Sequence, residues 1–259
     1  MDLLRIERDH GIVTLTIQRE ERRNALHGPL WTALFDAAQA LAKDPPRVVI
    51  LQGAGGHFSS GMDLKIDNPL IGRLFPAIQD PAALRALIVE LKGVVDAIAN
   101  IPCPVIASID GACAGGALEV ALACDLRVAS PGAFFSMPEA RVGMMPDVGG
   151  TIRLMRTIGR ARALDLCLTA SRLDARTAFT YGLVNRLAEE PIALAAAQKL
   201  AGEILTAAPS AVREILRLSR APDPTFAEET EAGVRVLSTG EVIEGATSFM
   251  EKRPPSWSL

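Results

Sequence analysis

The amino-acid sequence predicts an α/β fold in which a strand-rich core precedes a helical C-terminal region. Short apolar runs with strand character alternate with helical patterns over residues 1–190, whereas the patterns in residues 191–259 are all helical. Units of strand, strand and helix recur as a rhythm in the first region, although no repeat is visible residue by residue. We therefore divide the chain into a core of residues 1–190 and a helical region of residues 191–259.

The first elements predict the start of a sheet. Residues 3–7 and 11–18 are apolar or alternating and flank a turn, which predicts two paired strands. A helical pattern over residues 30–43 ends before two prolines. Residues 48–52 form a continuous apolar run, which is typical of a buried strand.

Residues 66–81 are the least regular part of the core. Proline and glycine interrupt the apolar side chains, so we expect an irregular apolar flap rather than one helix, with a poorly ordered loop as the alternative. A helical pattern follows over residues 82–100. The strand predicted at residues 105–109 then leads into the centre of the chain.

The central block, residues 109–151, carries the candidate chemistry. Gly115 and Gly116 precede an apolar run at residues 117–124, which predicts a short buried helix with free N–H groups at its start. Partial positive charge at that end would stabilise an oxygen that becomes negative during a reaction. Glu119 falls in the first turn of the same helix. The alternative is that Glu119 only complements the helix dipole.

A second glutamate returns to the neighbourhood of the first. The helix travels roughly 12 Å over about eight residues, and the strand predicted at residues 125–129 retraces a similar distance. After a turn and an extended piece at residues 133–137, Glu139 therefore comes close to Glu119. Two carboxyl groups beside an oxyanion site suit acid and base chemistry next to a carbonyl. The alternative for Glu139 is a loop carboxylate after a proline.

Helical patterns dominate the rest of the chain. Asp174 is predicted to cap a short helix that Gly182 ends, and a strand is expected at residues 183–187. The other predicted helices cover residues 152–158, 161–169, 192–207, 210–219, 226–238 and 241–252.

Composition and charge narrow the classes of function. A chain of 259 residues with 49% apolar and 22% charged residues predicts one main soluble globular domain. The net charge of -3 disfavours nucleic-acid binding through a basic surface. No apolar run reaches membrane-spanning length and the first ten residues lack an apolar signal region, so a cytoplasmic protein is expected. The four cysteines lack CxxC spacing, which predicts buried free thiols, and the three histidines form no metal-binding pattern.

Five motifs in a fixed order resemble the crotonase superfamily, the enoyl-CoA hydratase and isomerase proteins. The two central motifs are GACAGGALEVALACDLRVAS at residues 111–130 and FSMPEARVGMMPDVGGTIRL at residues 135–154. The other three are RRNAL at 22–26, FSSGMDLK at 58–65 and FMEKRPPSW at 249–257. No single motif is decisive, but the ordered set spans almost the whole chain.

The resemblance implies a crotonase-like spiral of repeated ββα units, followed by a C-terminal helical region that builds trimers or dimers of trimers. It also implies an acyl-CoA thioester as substrate, with no metal, nucleotide or flavin cofactor. We interpret the apolar flap as the wall of the acyl pocket, because its apolar residues lie in a segment too broken to pack as one helix.

The resemblance assigns roles to the central residues. The backbone N–H groups of Met62 and Gly116 would form the oxyanion hole. Glu119 would orient and deprotonate water, and Glu139 would supply a proton to the α carbon of the substrate. The implied reaction adds water across a trans-2-enoyl-CoA and gives a 3-hydroxyacyl-CoA.

The resemblance also suggests how coenzyme A is held. Two arginines before a helix are often simply solvated, but in the family this corner lies against the nucleotide and phosphates. Phe249 and Lys252 would reach the coenzyme A bound to a neighbouring subunit. The residues implied in binding are Arg23, Ala25, Met62, Asp63, Leu64, Lys65, Gly116, Phe249 and Lys252.

Asp147 departs from the pattern of the best-characterised hydratases, which have glycine there. Together with Glu139 it would suit a dienoyl-CoA or enoyl-CoA isomerase, which moves a proton along the acyl chain without adding water. The alternative is that Asp147 caps the following helix. Some relatives bind RNA through a lysine-rich early helix and others are inactive. Residues 30–43 contain one lysine, and both glutamates are present, so we disfavour both readings.

Overall fold

The computed structural model describes residues 3–257, and its main sheet has six strands. A hairpin of β1 (Leu4–Asp9) and β2 (Ile12–Ile17) opens the chain as predicted. The strands that follow each pair in parallel with their neighbour. They are β3 (Val48–Gly53), β4 (Val105–Ile109), β6 (Leu126–Ala129) and β9 (Arg186–Leu187), and the order across the sheet is β1-β2-β3-β4-β6-β9.

A smaller sheet of three strands lies beyond the ends of the first. It contains β5 (Ala112–Ala114), β7 (Phe134–Ser136) and β8 (Leu173–Asp174), with β7 in the middle. A bridge between Ser59 and Cys113 ties the loop after β3 to this sheet. The chain enters the second sheet at Ala112, three residues after β4 ends, within the central block of residues 109–151.

Within residues 3–257, seven α-helices alternate with the strands along the chain and four more follow the last strand. The seven are α1 (Gly28–Lys43), α2 (Pro69–Ala77), α3 (Pro81–Ala99), α4 (Gly116–Ala123), α5 (Gly150–Ile158), α6 (Arg160–Thr169) and α7 (Ala175–Thr180). The later four are α8 (Leu194–Leu205), α9 (Pro209–Arg220), α10 (Phe226–Ser238) and α11 (Glu241–Glu251). Asp174 caps α7 through the Thr177 amide, as predicted.

The predicted irregular flap is wrong, because residues 69–77 form helix α2. The Asn68 side chain accepts from the Leu70 amide at the helix start, and Pro69 occupies the first turn, where its missing N–H is not needed. Pro76 falls in the last turn, where it disrupts little of so short a helix. Pro69 and Pro76 are thus accommodated near the ends of one helix, and Gly72 is tolerated in its middle.

The predicted strand at residues 183–187 is shorter than expected. Only Arg186–Leu187 pairs with β6. The amides of Leu183 and Val184 instead donate to the Ala178 carbonyl and close the end of α7. These two side chains are buried in the core, which explains their apolar character.

Apolar packing covers both faces of the main sheet. One face packs with α1, α3 and α4 in the large core, and the other packs with α8 through Val48, Ile106 and Ala197. This two-sided burial explains why β3 and β4 are mostly apolar, with Gln52 and Ser108 as buried polar exceptions. All eight residues of α4 are buried, including Glu119. Helix α4 is therefore fixed within the core.

The cysteines are free, and Cys103, Cys113 and Cys124 are buried as predicted, while Cys167 is partly buried. No cluster of candidate metal ligands is present within residues 3–257. In the same part of the chain, no helix combines the length and apolar character that crossing a membrane requires.

Candidate active site

The loop before residue 63 brings a backbone amide to the start of α4. The Leu26 amide donates to the Gly61 carbonyl at 2.8 Å, and the Asp63 amide donates to the Leu26 carbonyl at 2.9 Å. Between these two bonds, the Met62 N–H has no partner within residues 3–257. A Cβ built on Gly116 would lie 3.9 Å from the Met62 nitrogen. The amide that opens α4 and the Met62 amide are therefore neighbours, as an oxyanion hole requires.

A buried ion pair holds this loop in place. Arg19 Nη2 lies 2.7 Å from Asp63 Oδ2, and Arg19 Nη1 donates to the Ala25 carbonyl at 2.7 Å. Burial by itself raises the pKa of Asp63, but hydrogen bonds from Arg19 and the Lys65 amide outweigh it and lower that pKa. The Asp63 carboxylate thus has a structural partner within the chain.

Glu119 is anchored at one oxygen. Its Oε1 accepts from the Val148 amide at 3.1 Å and from the Gly150 amide at 2.7 Å. Burial, together with the charges of Glu139 and Asp147, raises the pKa of Glu119 to about 7, despite the opposing effect of these hydrogen bonds. Gly150 is required here, because a Cβ at that position would collide with the Glu119 side chain.

Glu139 lies near Glu119 and borders the same cavity. It begins a 3-10 turn, Glu139–Val142, and is buried. Its Oε2 has no hydrogen-bond partner among the described residues. Burial and the charge of Asp147 raise its pKa. Gly115 has a φ of +56°, and a Cβ there would lie 2.9 Å from Glu139 Oε1, so the absence of a side chain lets the carboxyl group approach α4.

Asp147 does not cap α5. The N-cap position is occupied by Gly149, without any side-chain hydrogen bond. The Asp147 side chain is solvent-exposed, yet the surrounding protein partly desolvates it, which raises its pKa. Asp147 is thus a third carboxyl group beside Glu119 and Glu139.

These groups border one cavity, which we call the smaller cavity and which has a volume of about 150 Å³. Among its walls are the five residues predicted from the sequence: Met62, Gly116, Glu119, Glu139 and Asp147. The structure therefore brings both candidate amides and all three candidate carboxyl groups together. The arrangement can bind a carbonyl oxygen and exchange protons beside it.

A larger cavity of about 830 Å³ adjoins the smaller one. Helices α2 and α3 supply half of the residues in its wall, including the aliphatic side chains of Ile71, Leu74 and Leu87. Met62 and Asp147 border both cavities. Although the flap is a helix, it does form a pocket wall.

The predicted coenzyme A residues are less closely grouped. Arg23, Leu64 and Lys65 are exposed near the Met62 loop, whereas Ala25 is buried beside it. Phe249 and Lys252 lie at the end of α11 and border neither cavity. The structure thus places the four earlier residues near the Met62 loop, whereas Phe249 and Lys252 lie outside both cavities of the same chain.

Sequence reasoning missed several residues that shape the site. Trp31 borders the smaller cavity and is almost fully buried, but its place in an amphipathic helix gave no signal beyond core packing. Val148 and Gly150 act through their backbone amides, which sequence patterns do not distinguish. The Arg19–Asp63 pair was missed because the partners are far apart along the chain.

Comparison with known proteins finds relatives that cover nearly the whole chain. The family model for "Enoyl-CoA hydratase/isomerase" matches residues 7–259. A probable enoyl-CoA hydratase of Mycobacterium leprae is 34% identical, covering 98% of this chain and 99% of the relative. A mitochondrial methylglutaconyl-CoA hydratase of Mus musculus is 34% identical, covering 97% of this chain and 81% of the relative.

Solved structures confirm the fold. An enoyl-CoA hydratase from Bacillus anthracis superimposes with a TM-score of 0.88 at 30% identity, covering 99% of both chains. The mixed α/β architecture is therefore the crotonase fold expected from the motifs. Because the family model matches nearly the full length of this chain, the chain belongs to the enoyl-CoA hydratase/isomerase family of the crotonase superfamily.

Proposed function

We propose that the protein is an enoyl-CoA hydratase, which adds water across a trans-2-enoyl-CoA and gives a 3-hydroxyacyl-CoA. The observation that carries the proposal is one cavity bordered by two buried carboxyl groups with raised pKa values and by two amides that have no partner among residues 3–257. Relatives named as hydratases, at 34% identity over nearly the whole chain, support the same reaction.

In the proposed mechanism the Met62 and Gly116 amides bind the thioester oxygen. As the oxygen of water bonds to the β carbon, electrons move toward the thioester oxygen, and the amides stabilise the resulting enolate. The two N–H groups have no other partner in the described structure, so they require little rearrangement. Losing one such donor typically costs about a hundredfold or more in rate.

The two glutamates divide the proton transfers. Glu119 Oε1 is held by two amide hydrogen bonds, and in the proposed mechanism its charged form, available above its pKa of about 7, orients water and accepts a proton. The pKa of Glu139 is also raised, and its Oε2 has no partner among the described residues, so that oxygen can carry the proton that is given to the α carbon. The proton that Glu119 takes from water is then transferred to Glu139, which has given its own proton to the α carbon. One water is consumed, and both residues regain their starting protonation states.

The decisive experiment uses water labelled with heavy oxygen. Purified protein is incubated with trans-2-octenoyl-CoA and crotonyl-CoA, and both enoyl absorbance and product mass are followed. Labelled 3-hydroxyacyl-CoA is expected from the native chain, and Glu139→Gln should abolish its formation. Glu229→Gln, a matched change at an exposed position of α10, should leave the rate unaltered. Absence of labelled product with either substrate would contradict hydration.

A second candidate, a dienoyl-CoA or enoyl-CoA isomerase, is favoured by the position of Asp147. This residue borders the larger cavity as well as the smaller one. Asp147 and Glu139 could move a proton between carbons of a conjugated acyl chain. A shift of double bonds in a 3,5-dienoyl-CoA without oxygen label, lost in Asp147→Asn, would favour isomerisation.

We further propose that the chain assembles as a homotrimer or a dimer of trimers. Exposed apolar side chains on the later helices support this, including Phe226 at 89% and Phe249 at 85% exposure. Phe249 and Lys252 would then contact coenzyme A held by a neighbour. Sedimentation equilibrium tests the assembly, and a monomer at micromolar concentration would contradict it.

The proposed reaction requires no metal or organic cofactor, and we expect it to take place in the cytoplasm. Activity should therefore survive exhaustive dialysis against a chelator. Fractionation of cells that produce the native protein would test the location.

A further inference from the structure

The larger cavity exceeds what the reacting atoms need. Its volume of about 830 Å³ matches pockets that enclose whole drug-sized ligands, whereas a four-carbon crotonyl group would leave most of it empty. Six residues border both cavities: Met62, Leu64, Val142, Met144, Met145 and Asp147. A thioester oxygen bound at the Met62 amide therefore has an open path for its acyl tail into the larger cavity.

The walls of the larger cavity are chemically uniform. Within the described chain, the residues that border it are aliphatic, aromatic, methionine or glycine, with Asp147 as the one ionisable exception. At its mouth Phe75 and Ile78 are 56% and 53% exposed. An apolar tail would cover these side chains and gain from leaving water.

We propose that the preferred substrates carry an uncharged, apolar acyl tail longer than four carbons, and that Asp147 excludes tails that end in a carboxylate. This inference rests on the proposed function and names the substrate class of that same site. The occupant of the larger cavity is the tail of the thioester that reacts in the smaller one.

The exclusion of a tail carboxylate has two physical causes. The walls offer no cation to pair with it, so its charge would lose water without compensation. The carboxyl group of Asp147 adds like-charge repulsion at the entrance, where partial desolvation weakens screening. A neutral tail meets neither cost.

The test compares kcat/KM for crotonyl-CoA, trans-2-octenoyl-CoA, glutaconyl-CoA and the methyl ester of glutaconyl-CoA. Each additional buried methylene is worth up to about fourfold, so octenoyl-CoA should exceed crotonyl-CoA by about tenfold or more. The methyl ester should exceed glutaconyl-CoA, whose tail ends in a carboxylate. Asp147→Asn should narrow that second ratio by about tenfold.

Two variants test the wall itself. Leu74→Trp narrows the larger cavity and Phe75→Ala removes part of its exposed rim, and both should lower the ratio of octenoyl to crotonyl activity. Leu168→Trp, at an exposed position of α6 outside both cavities, should keep the ratio of the native chain. Phe75→Ala alters an exposed side chain, so this test does not depend on repacking the core.

The outcomes separate this inference from the proposed function. Equal or greater activity with crotonyl-CoA would overturn the tail-length preference while leaving hydration intact. An unchanged ester to acid ratio in Asp147→Asn would overturn the role of Asp147. If no enoyl-CoA is hydrated, the proposed function fails, and the dissociation constants of butyryl-CoA and octanoyl-CoA still decide the inference. Equal constants for these two saturated thioesters would overturn it.

Discussion

The smaller and larger cavities meet at Met62 and Asp147 but are built by different means. Backbone amides, glycines and buried carboxyl groups line the polar part of the smaller cavity, where an added Cβ would collide with a neighbour at Gly61 or Gly115. Apolar side chains such as Trp31 and Val142 complete its wall. Apolar side chains on two helices form the larger one, and several of them are half exposed. Under the proposed function, the reaction would depend on fixed backbone geometry, whereas selection of the acyl tail would depend on replaceable side chains.

The largest effect is expected from Gly61→Ala, which tests the backbone geometry. Gly61 has a φ of +90°, and a Cβ there would collide with the Ala114 carbonyl oxygen, which displaces the adjacent Met62 amide. We expect kcat for octenoyl-CoA to fall by about a hundredfold or more. Steady-state kinetics measures this loss directly.

Gly240→Ala is the matched control for that variant. Its φ of +78° imposes similar backbone strain, but no atom lies within 4 Å of the added Cβ. It should lower stability by about 1–3 kcal/mol and keep the native kcat. If Gly61→Ala also kept kcat within a few fold, the Met62 amide would not be an oxyanion donor.

The pH dependence of kcat/KM examines the carboxyl groups of the smaller cavity. Glu119 must be charged to accept a proton, so activity should fall about tenfold per pH unit below its pKa of about 7. Glu139 must be protonated, so activity should also fall when pH rises through its raised pKa. The expected profile is a bell whose limbs belong to the coupled pair.

Asp147→Asn sharpens the same measurement. The charge of Asp147 contributes to the raised pKa values of both glutamates, so its removal should move both limbs toward lower pH. Asp223→Asn, an exposed change in the turn before α10, serves as the control. An unshifted profile in Asp147→Asn would show that this carboxyl group does not act on the pair.

The sequence predicted the smaller cavity better than the larger one, for a physical reason. Glycine pairs and glutamates at fixed spacing limit what a backbone can do, so Gly116 and Glu119 were identifiable from their neighbours. The shape of the larger cavity depends on how α2 packs on α3, which is a contact between side chains. Even the helical state of α2 was hidden, because its cap, Asn68, is an ordinary residue in a segment rich in breakers.

Long-range polar contacts were similarly out of reach. The resemblance implied that Asp63 contacts coenzyme A, but its carboxylate pairs with Arg19, 44 positions earlier in the chain. Neither residue stands out in its local pattern. The position of Asp147 beside both cavities also required the fold, because the sequence left a helix cap equally open.

Glu119→Gln should raise stability in a pH-dependent manner. The folded pKa of about 7 exceeds the ordinary value of 4.5, so the native state binds the proton more tightly, and stability is lost as pH rises from about 4.5 through about 7. Glutamine keeps the oxygen that accepts both amides but has no proton to lose. The variant should therefore gain up to about 3 kcal/mol at pH 8.

Urea unfolding at pH 5 and pH 8 measures this difference. Most of the gain should be absent at pH 5, where the native glutamate is largely protonated, so each protein serves as its own control. An equal gain at both pH values would assign the effect to packing rather than to the charge of Glu119.

The smallest effect on stability is expected from the surface ion pair that joins α2 to α3, the two helices beside the larger cavity. Arg73 on α2 and Glu90 on α3 form a two-pronged ion pair, with bonds of 2.8 and 2.6 Å, and both side chains are about half exposed. Pairs of this kind contribute roughly 0.2–1 kcal/mol because water and salt screen them. A double-mutant cycle with Arg73→Ala and Glu90→Ala should give a coupling energy in that range that falls with added salt. A coupling energy several times larger would mean that α2 and α3 are held together more firmly than a surface ion pair allows. The proposed contrast between a fixed smaller cavity and an adaptable larger cavity would then fail.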